Sequence, residues 1–311
     1  MTRYVVPMRC AIVLLAVAAA ACRSSPPLRT VDGEAVLGEA ERALAADDLA
    51  AARDLLVVHD EKQFAQPQQA RYELLLARAQ LGLGDPWAAY LTLRDFADNH
   101  PHSDLREQII ELEFQAGSTL ARSDAGFLFF WSDRRGARTC LEHLITRYPN
   151  CTQVPDALRL LGEMALADGD YVGAEDRFRE LLGRHPESEW APLARFRFAM
   201  SIVGSLRGPD YDLEKMESAT KELRVFLERP PENPTFVSEA AAALERLLSW
   251  RAQRHLAIAE FYHTVGNHAG EVLHLQIAAD PEFAQTDAAA TARGRLGELG
   301  EPLPPSRGGR P

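Results

Sequence analysis

Small and large apolar residues recur at fixed distances upstream of four prolines. Twelve, eight and five residues before Pro186 stand Ala174, Phe178 and Leu181. The same offsets before three other prolines give Ala89, Leu93 and Phe96 before Pro101, Ala137, Leu141 and Leu144 before Pro149, and Ala219, Leu223 and Phe226 before Pro231. Because positions i, i+4 and i+7 share one face of an α-helix, each set predicts an amphipathic helix that ends near its proline.

Turn signals frame these helices on both sides. Gly84-Asp85 and Gly169-Asp170 stand five and four residues before the Ala, and Asp133 keeps only the second of these positions. Two residues after the prolines lie Ser103, Cys151, Ser188 and Asn233, and three of these four are good N-caps for a following helix. The unit is therefore helix A, a Gly-Asp turn, helix B and a Pro stop. We expect the Ala to let helix B approach helix A closely, since a larger side chain would overpack the crossing.

The unit recurs at intervals of 48, 37 and 45 residues, counted between the prolines. It resembles the tetratricopeptide repeat and predicts an all-α, right-handed solenoid of tetratricopeptide-like helical hairpins over residues 34–299. Two weaker copies flank the clear four, one with Ala51, Leu55 and Val58 as its packed positions and one around Gly266 and Pro281. Terminal repeats are often atypical because one of their faces meets water. The predicted A helices between the ends run over residues 69–83, 105–120, 156–167 and 191–203.

The N-terminus has the pattern of an export signal. Arg3 and Arg9 precede a short apolar run that ends at Cys22. This run is too short to span a bilayer comfortably and predicts a secretory signal over residues 1–21. The sequence Ala-Ala-Ala-Cys resembles the lipobox of bacterial lipoproteins, so we expect Cys22 to be acylated; an ordinary signal peptide with an incidental Cys is the alternative. Residues 22–33 are then a tether, and residues 300–311 a disordered tail.

Composition and motifs favour a binding protein over an enzyme. The chain is 46% hydrophobic, enough for a core, and its net charge of −11 argues against nucleic-acid binding. We find no Gly-rich phosphate loop, Cys-x-x-Cys or His-Glu-x-x-His motif, and predict no catalytic residues, no cofactor and no metal. His263, His268 and His274 cluster in the sequence, but their spacings put no pair one helical turn apart. Cys140 and Cys151 are predicted to be buried thiols, too far apart for a disulfide.

One segment, residues 123–136 with the sequence SDAGFLFFWSDRRG, is rich in aromatic residues and Arg. It lies between helix A and helix B of one hairpin. The aromatic side chains either fold back into the hairpin core or form an exposed patch with Arg at its rim, as partner interfaces favour. The candidate partner-binding residues are Phe127, Phe129, Phe130, Trp131, Arg134 and Arg135.

The order of these features resembles the BamD family of outer-membrane assembly lipoproteins. A lipidated Cys precedes several tetratricopeptide-like units. Residues 148–201 are similar to the middle repeats of that family, residues 208–234 to its later repeat with a long insertion, and residues 255–275 to its final repeat. In the last segment Ala259, Glu260, Phe261 and Tyr262 stand at the expected places.

The resemblance implies a non-enzymatic scaffold, lipid-anchored at the periplasmic face of the outer membrane. Its partners would be the barrel-insertion protein of the outer membrane and unfolded β-barrel proteins. A tetratricopeptide lipoprotein of another cell-envelope or polysaccharide-export complex is the alternative binding function. An envelope enzyme is the third hypothesis, and it requires a convergent polar site that the motifs do not indicate.

Overall fold

The computed structural model describes residues 31–122, 130–210, 212–229 and 234–305, with side chains from residue 133 onward in the second range. Within these ranges the regular elements are all helices. They are α1 (Gly33–Ala45), α2 (Leu49–Val57), α3 (Gln66–Gly82), α4 (Pro86–Leu93), α5 (Phe96–Asn99), α6 (Arg106–Arg122), α7 (Phe130–Arg147), α8 (Val154–Ala167), α9 (Tyr171–Arg184), α10 (Ala191–Ser205), α11 (Leu213–Glu228), α12 (Pro234–Thr264), α13 (His268–Ala278) and α14 (Asp287–Leu299). The signal segment and Cys22 lie outside the described residues.

The helices pair into consecutive hairpins. The A helices are α1, α3, α6, α8, α10 and α12, and each packs against the B helix that follows it. Each B helix also contacts the next A helix, and most neighbouring A helices touch one another, as α1 with α3 and α3 with α6. The all-α hairpin solenoid and the four predicted A helices are confirmed; the hand of the superhelix stays a prediction.

The predicted small residue of helix B is buried in all four clear repeats. Ala89, Ala137, Ala174 and Ala219 are each 0% exposed. The two apolar residues that follow each of them are also buried. Helix A comes equally close, because a Cβ built at Gly162 of α8 would lie 2.6 Å from Cζ of Phe178 on α9. Close helix approach through small residues is therefore the packing rule of this solenoid.

The prediction for the first repeat is wrong by one residue. Ala51 is exposed, Leu55 is only partly buried and Val58 is 74% exposed. Ala52 and Leu56, each 0% exposed, face helix A instead. A shift of one position turns a helical side chain by about 100°, so the register matters for every residue of α2.

The turn explains the shift. Asp48 caps α2, and its carboxylate accepts a hydrogen bond from the backbone N–H of Ala51 at 3.0 Å. Asp47 has φ +61°, the left-handed conformation that glycine adopts in the equivalent turns. The buried Ala follows its cap by four residues here, as it does after Asp85 and Asp170. This repeat has no closing Pro from which the packed positions can be counted. Counting from the cap residue Asp48 gives the correct packed positions.

The predicted Ser caps lie in the turns before the helices. The Oγ atoms of Ser103 and Ser188 accept hydrogen bonds from the backbone N–H groups of Leu105 and Trp190, each at 3.2 Å. The N-cap of α10 is Trp190, which makes no side-chain cap bond, so the prediction of Ser188 as the N-cap is wrong, and its hydroxyl stabilises the turn that leads into the helix instead. Both cysteines are free thiols, as predicted: Cys140 is fully buried, whereas Cys151 is partly exposed at the edge of the core.

The last hairpin departs from the packing rule. Four residues after its cap, Asn267, stands Glu271 in place of the usual Ala, and it is 4% exposed. Its carboxylate accepts from Arg295 of α14 at 2.6 Å and lies 3.0 Å from Nδ1 of His263. Helix α14 then covers the open end of the stack with Leu296, which is 0% exposed. The terminal repeat thus replaces a helix-helix contact by a charged contact to a closing helix.

Candidate partner-binding surface

The first A helices border a groove of about 780 Å³ at the N-terminal end of the stack. Leu44 of α1 and Leu105 just before α6 provide its apolar surface, while Leu74 of α3, also in its lining, is only 4% exposed. These side chains come from three successive A positions because A helices stack side by side. A groove with this lining can accept apolar side chains from a segment that lies across several repeats.

One wall of the groove carries a fixed ion-pair network. Arg71 of α3 donates from Nε to Glu41 at 2.7 Å and from Nη1 to Glu34 at 3.0 Å, both on α1. The hydrogen bond to Arg71 lowers the pKa of Glu41, and the same bond raises the pKa of Arg71. Glu41 and Arg71 therefore stay charged at neutral pH, and the contacts of Arg71 with α1 hold the first two A helices together.

A second guanidinium in the groove has a neutral partner. Arg78, an exposed residue of α3, donates from Nη2 to the amide oxygen of Gln108 on α6 at 2.7 Å. It makes no salt bridge with any residue in the described ranges. A bound carboxylate could replace Gln108 as its acceptor, since an anionic acceptor binds a guanidinium more strongly than a neutral amide oxygen does, and a backbone carbonyl would be an equivalent neutral acceptor.

The predicted aromatic site is described only in part. Phe127 and Phe129 lie outside the described residues. Phe130 and Trp131 form the first turn of α7, and their side chains are not described either. Residues 130–136 are therefore part of helix B and not, as the sequence had indicated, of a connection between helices A and B. The contacts of the aromatic side chains stay a prediction.

The two predicted Arg residues have different environments. Arg134 forms a salt bridge with Asp168 at the end of α8, and Arg138 reaches the same carboxylate at 3.4 Å. This contact joins two consecutive hairpins, so Arg134 has a structural role within the stack. Arg135 is exposed and remains a candidate for contact with a partner.

Sequence reasoning missed an aromatic residue next to this site. Trp87 of α4 is 39% exposed, and a Cβ built at Gly136 of α7 would lie 3.2 Å from its ring. The ring also lies 5.2 Å from that of Tyr90. The sequence did indicate this exposure. Trp87 stands two positions before the packed Ala89, and residues two apart do not share a helix face.

A second exposed apolar surface lies on the last hairpin. Phe261 in the last turn of α12 and Val265, directly after that helix, are 60% and 57% exposed, and Leu273 on α13 is 54% exposed. In the sequence Phe261 served only to support the family resemblance. Large apolar side chains left in water at helical spacing are typical of contact surfaces.

The three clustered histidines do not converge. Each ring of His263, His268 and His274 meets a different partner. In that order the partners are Glu271 at 3.0 Å, Glu301 at 3.4 Å and His255 at 3.1 Å. Metal-type donors do come together elsewhere in the described part of the chain, at the junction of the first two hairpins.

The stacked hairpins define a helical-repeat protein of the tetratricopeptide type. The model of the YfiO family, described as "Outer membrane lipoprotein", matches residues 132–290. This match covers just over half of the chain, and the chain therefore belongs to that family, the BamD family that the sequence resembled. Among the described helices, none is both long and apolar enough to cross a membrane.

A tetratricopeptide repeat protein from Parabacteroides merdae aligns with a TM-score of 0.40 at 13% sequence identity, over 84% of this chain and 98% of its own. A search of curated proteins finds no significant match.

Proposed function

We propose that this protein is a lipid-anchored scaffold at the periplasmic face of the outer membrane, where it takes part in β-barrel protein assembly. The groove across α1, α3 and α6 is the observation that carries the proposal, together with membership of an outer-membrane lipoprotein family. The cargo is an unfolded β-barrel segment, and the membrane partner is the barrel-insertion protein.

The lining of the groove fits this cargo. Strands of outer-membrane barrels alternate apolar and polar side chains, and an unfolded strand also presents its backbone carbonyls. Leu44 and Leu105 offer an apolar surface to one set of side chains, and Arg78 offers a donor to a carbonyl or carboxylate. The rest of the contact can be made by neighbouring A helices as the segment extends along the stack.

Anchoring at Cys22 keeps the groove near the membrane. Several acyl chains on one Cys give stable attachment, which a single chain does not. Cys22→Ser is expected to leave the protein in the soluble envelope fraction or uncleaved, and labelled fatty acid should enter the wild type alone. Equal labelling and equal membrane extraction of both forms would contradict the anchor.

A charge reversal tests the groove. Arg78→Glu should weaken binding of an unfolded β-barrel protein by about 1.5–3 kcal/mol, the size of a charge-assisted hydrogen bond. Lys221→Glu on the exposed side of helix α11 makes the same change of charge and is the control. Affinity is measured with the purified full-length variants in detergent, and circular dichroism confirms that both stay folded. Equal affinities of the two variants would exclude this groove.

A crosslinking experiment identifies the partner. A photoreactive amino acid at Gln108 should capture β-barrel cargo in intact cells, while the same group at Lys221 should not. Wild-type protein extracted from the membrane should carry the barrel-insertion protein with it. Recovery of polysaccharide-export components in its place would support the alternative envelope complex and contradict the assembly role.

A further inference from the structure

Two carboxylates and an imidazole meet where the first hairpin joins the second. Glu61 lies in the short 3-10 turn between α2 and α3, Glu73 lies in the middle of α3, and His100 ends α5 directly before Pro101. One donor atom from each of Glu61, Glu73 and His100 lies within 4.8 Å of the other two. Three separate segments thus bring metal-type donors to one point.

The central carboxylate is deeply buried and incompletely satisfied. The side chains of Glu73 and His100 are 4% and 6% exposed. His100 Nε2 lies 3.1 Å from Oε1 of Glu73, but Oε2 of Glu73 has no hydrogen-bond partner within the described part of the chain. A buried carboxylate oxygen without a donor is costly, because the charge has lost its water. A cation bound at this oxygen would compensate for the lost hydration.

One later repeat has no carboxylate at the equivalent place. The sequence Asn-His-Pro at His100 corresponds to Arg-His-Pro at His185, 85 residues later. The same shift carries Glu73 onto Leu158, which is 0% exposed and part of the main core. A hairpin of this stack can therefore pack with an apolar residue in the place of Glu73.

The arrangement of the donors also favours a cation. The carboxylates of Glu61 and Glu73 and the imidazole of His100 meet at one point. A single cation would contact all three donors at once, whereas a shared proton would join only two of them.

We propose that Glu61, Glu73 and His100 bind one Zn²⁺ or a similar divalent transition-metal ion. Two carboxylate oxygens and one imidazole nitrogen form a donor set that suits Zn²⁺, whereas Ca²⁺ and Mg²⁺ prefer oxygen alone. Metal bonds of about 2.1 Å in a tetrahedral site require donors roughly 3.4 Å apart. Glu61 is only partly buried and can move to close this distance.

Such an ion would tie three segments together. It would link the turn after α2, the core of α3 and the end of α5, and so brace the first two hairpins. Helix α3 also lines the groove of the proposed function, but the metal site stands on its own residues and does not depend on that function. Its expected effect is a local gain in stability, because an ion that binds only the folded chain shifts the unfolding equilibrium.

Zinc titration of the full-length protein in detergent, stripped with chelator, tests the site. The wild type should bind one Zn²⁺ per chain in competition with a chromogenic chelator, and its melting temperature should rise on binding. Glu73→Gln, which keeps the shape of the side chain, should weaken this binding at least about tenfold and abolish the thermal shift. Glu61→Gln, at the more exposed ligand, should do the same without disturbing the core.

His185→Gln is the matched control, because His185 occupies the equivalent place in a later repeat with Leu158 in the carboxylate position. It should bind Zn²⁺ like the wild type. Unchanged Zn²⁺ affinity in both Glu73→Gln and Glu61→Gln would overturn the site, as would a wild type that binds no Zn²⁺. In the latter case a proton shared by the two carboxylates neutralises the group, and Glu73→Leu should then stabilise the protein without metal.

Discussion

In three hairpins an alanine that follows the helix-B cap by four residues lies where the two helices pack. In α2, α4 and α9 this residue is Ala52, Ala89 and Ala174, and each is 0% exposed. A larger side chain at these fully buried positions would have to displace its neighbours. At the residue scale, the packing of these hairpins depends on keeping that position small.

Two neighbouring alanines of α2 give a direct test. Ala52→Leu should destabilise the protein by about 1–3 kcal/mol through overpacking. Ala51→Leu, one residue earlier and exposed, should change stability by less than about 0.5 kcal/mol. The free energies of unfolding in urea measure both. A larger loss of stability for Ala51→Leu than for Ala52→Leu would contradict this register and support the one predicted from the sequence, with Ala51 packed.

At the scale of elements, helices α12 and α13 are joined by stacked rings. His274 lies between His255 and Tyr262, with ring centroids 5.4 Å and 5.6 Å away. His255 is 7% exposed, and its pKa is lowered to about 4, first by burial and then by the charges of His274, Arg251 and Arg254. The junction between the two helices therefore packs with His255 neutral.

The sign of the pH dependence follows from this depressed pKa. Unfolded His takes up a proton near pH 6.5, whereas folded His255 does so only near pH 4. This contribution to stability is complete above pH 6.5 and is lost as the pH falls towards 4, by about 2–3 kcal/mol. Unfolding at pH 7.5 and 4.5 should show a smaller loss for His255→Asn than for the wild type. His268→Asn, at a 60% exposed side chain, should behave as the wild type.

Successive B helices are also linked by ion pairs across the repeats. Arg147 of α7 pairs with Asp98 of α5, Arg177 of α9 pairs with Glu142 of α7 at 2.5 Å, and Lys215 of α11 pairs with Glu175 of α9 at 2.7 Å. Glu175 is the buried member, 2% exposed, and Arg179 is its second partner. Most of these charges face water and contribute little individually, but Glu175 depends on its cations.

At the scale of the whole molecule, helix α14 covers the apolar C-terminal end of the stack. Helix α14 buries Ala292 and Leu296 against Leu275 and Ala278 of α13. A chain that stops after residue 286 would expose this apolar face. We expect a lower melting temperature and self-association, measured by circular dichroism and light scattering. A deletion of residues 306–311 alone is the control, and identical behaviour of both truncations would show that α14 is dispensable.

The sequence predicted most of the fold because the repeat is defined by patterns of neighbouring residues. The i, i+4, i+7 spacing of apolar residues, the Gly-Asp turns and the prolines each act within a few residues, and they located the A helices to within a few positions. The candidate site was harder to predict. Arg135 is exposed, whereas Arg134 forms a salt bridge with Asp168. Because Asp168 is distant from Arg134 in the sequence, no local pattern predicts this pair.

What the sequence by itself determined is the hairpin, its small packed Ala, and the family to which the chain belongs. The tertiary structure decided the charged end at Glu271 and the meeting of Glu61, Glu73 and His100. Local features depend on the period of one helix, which neighbouring residues reveal. The others depend on distances between segments that only stacking brings together, and a linear pattern does not contain those distances.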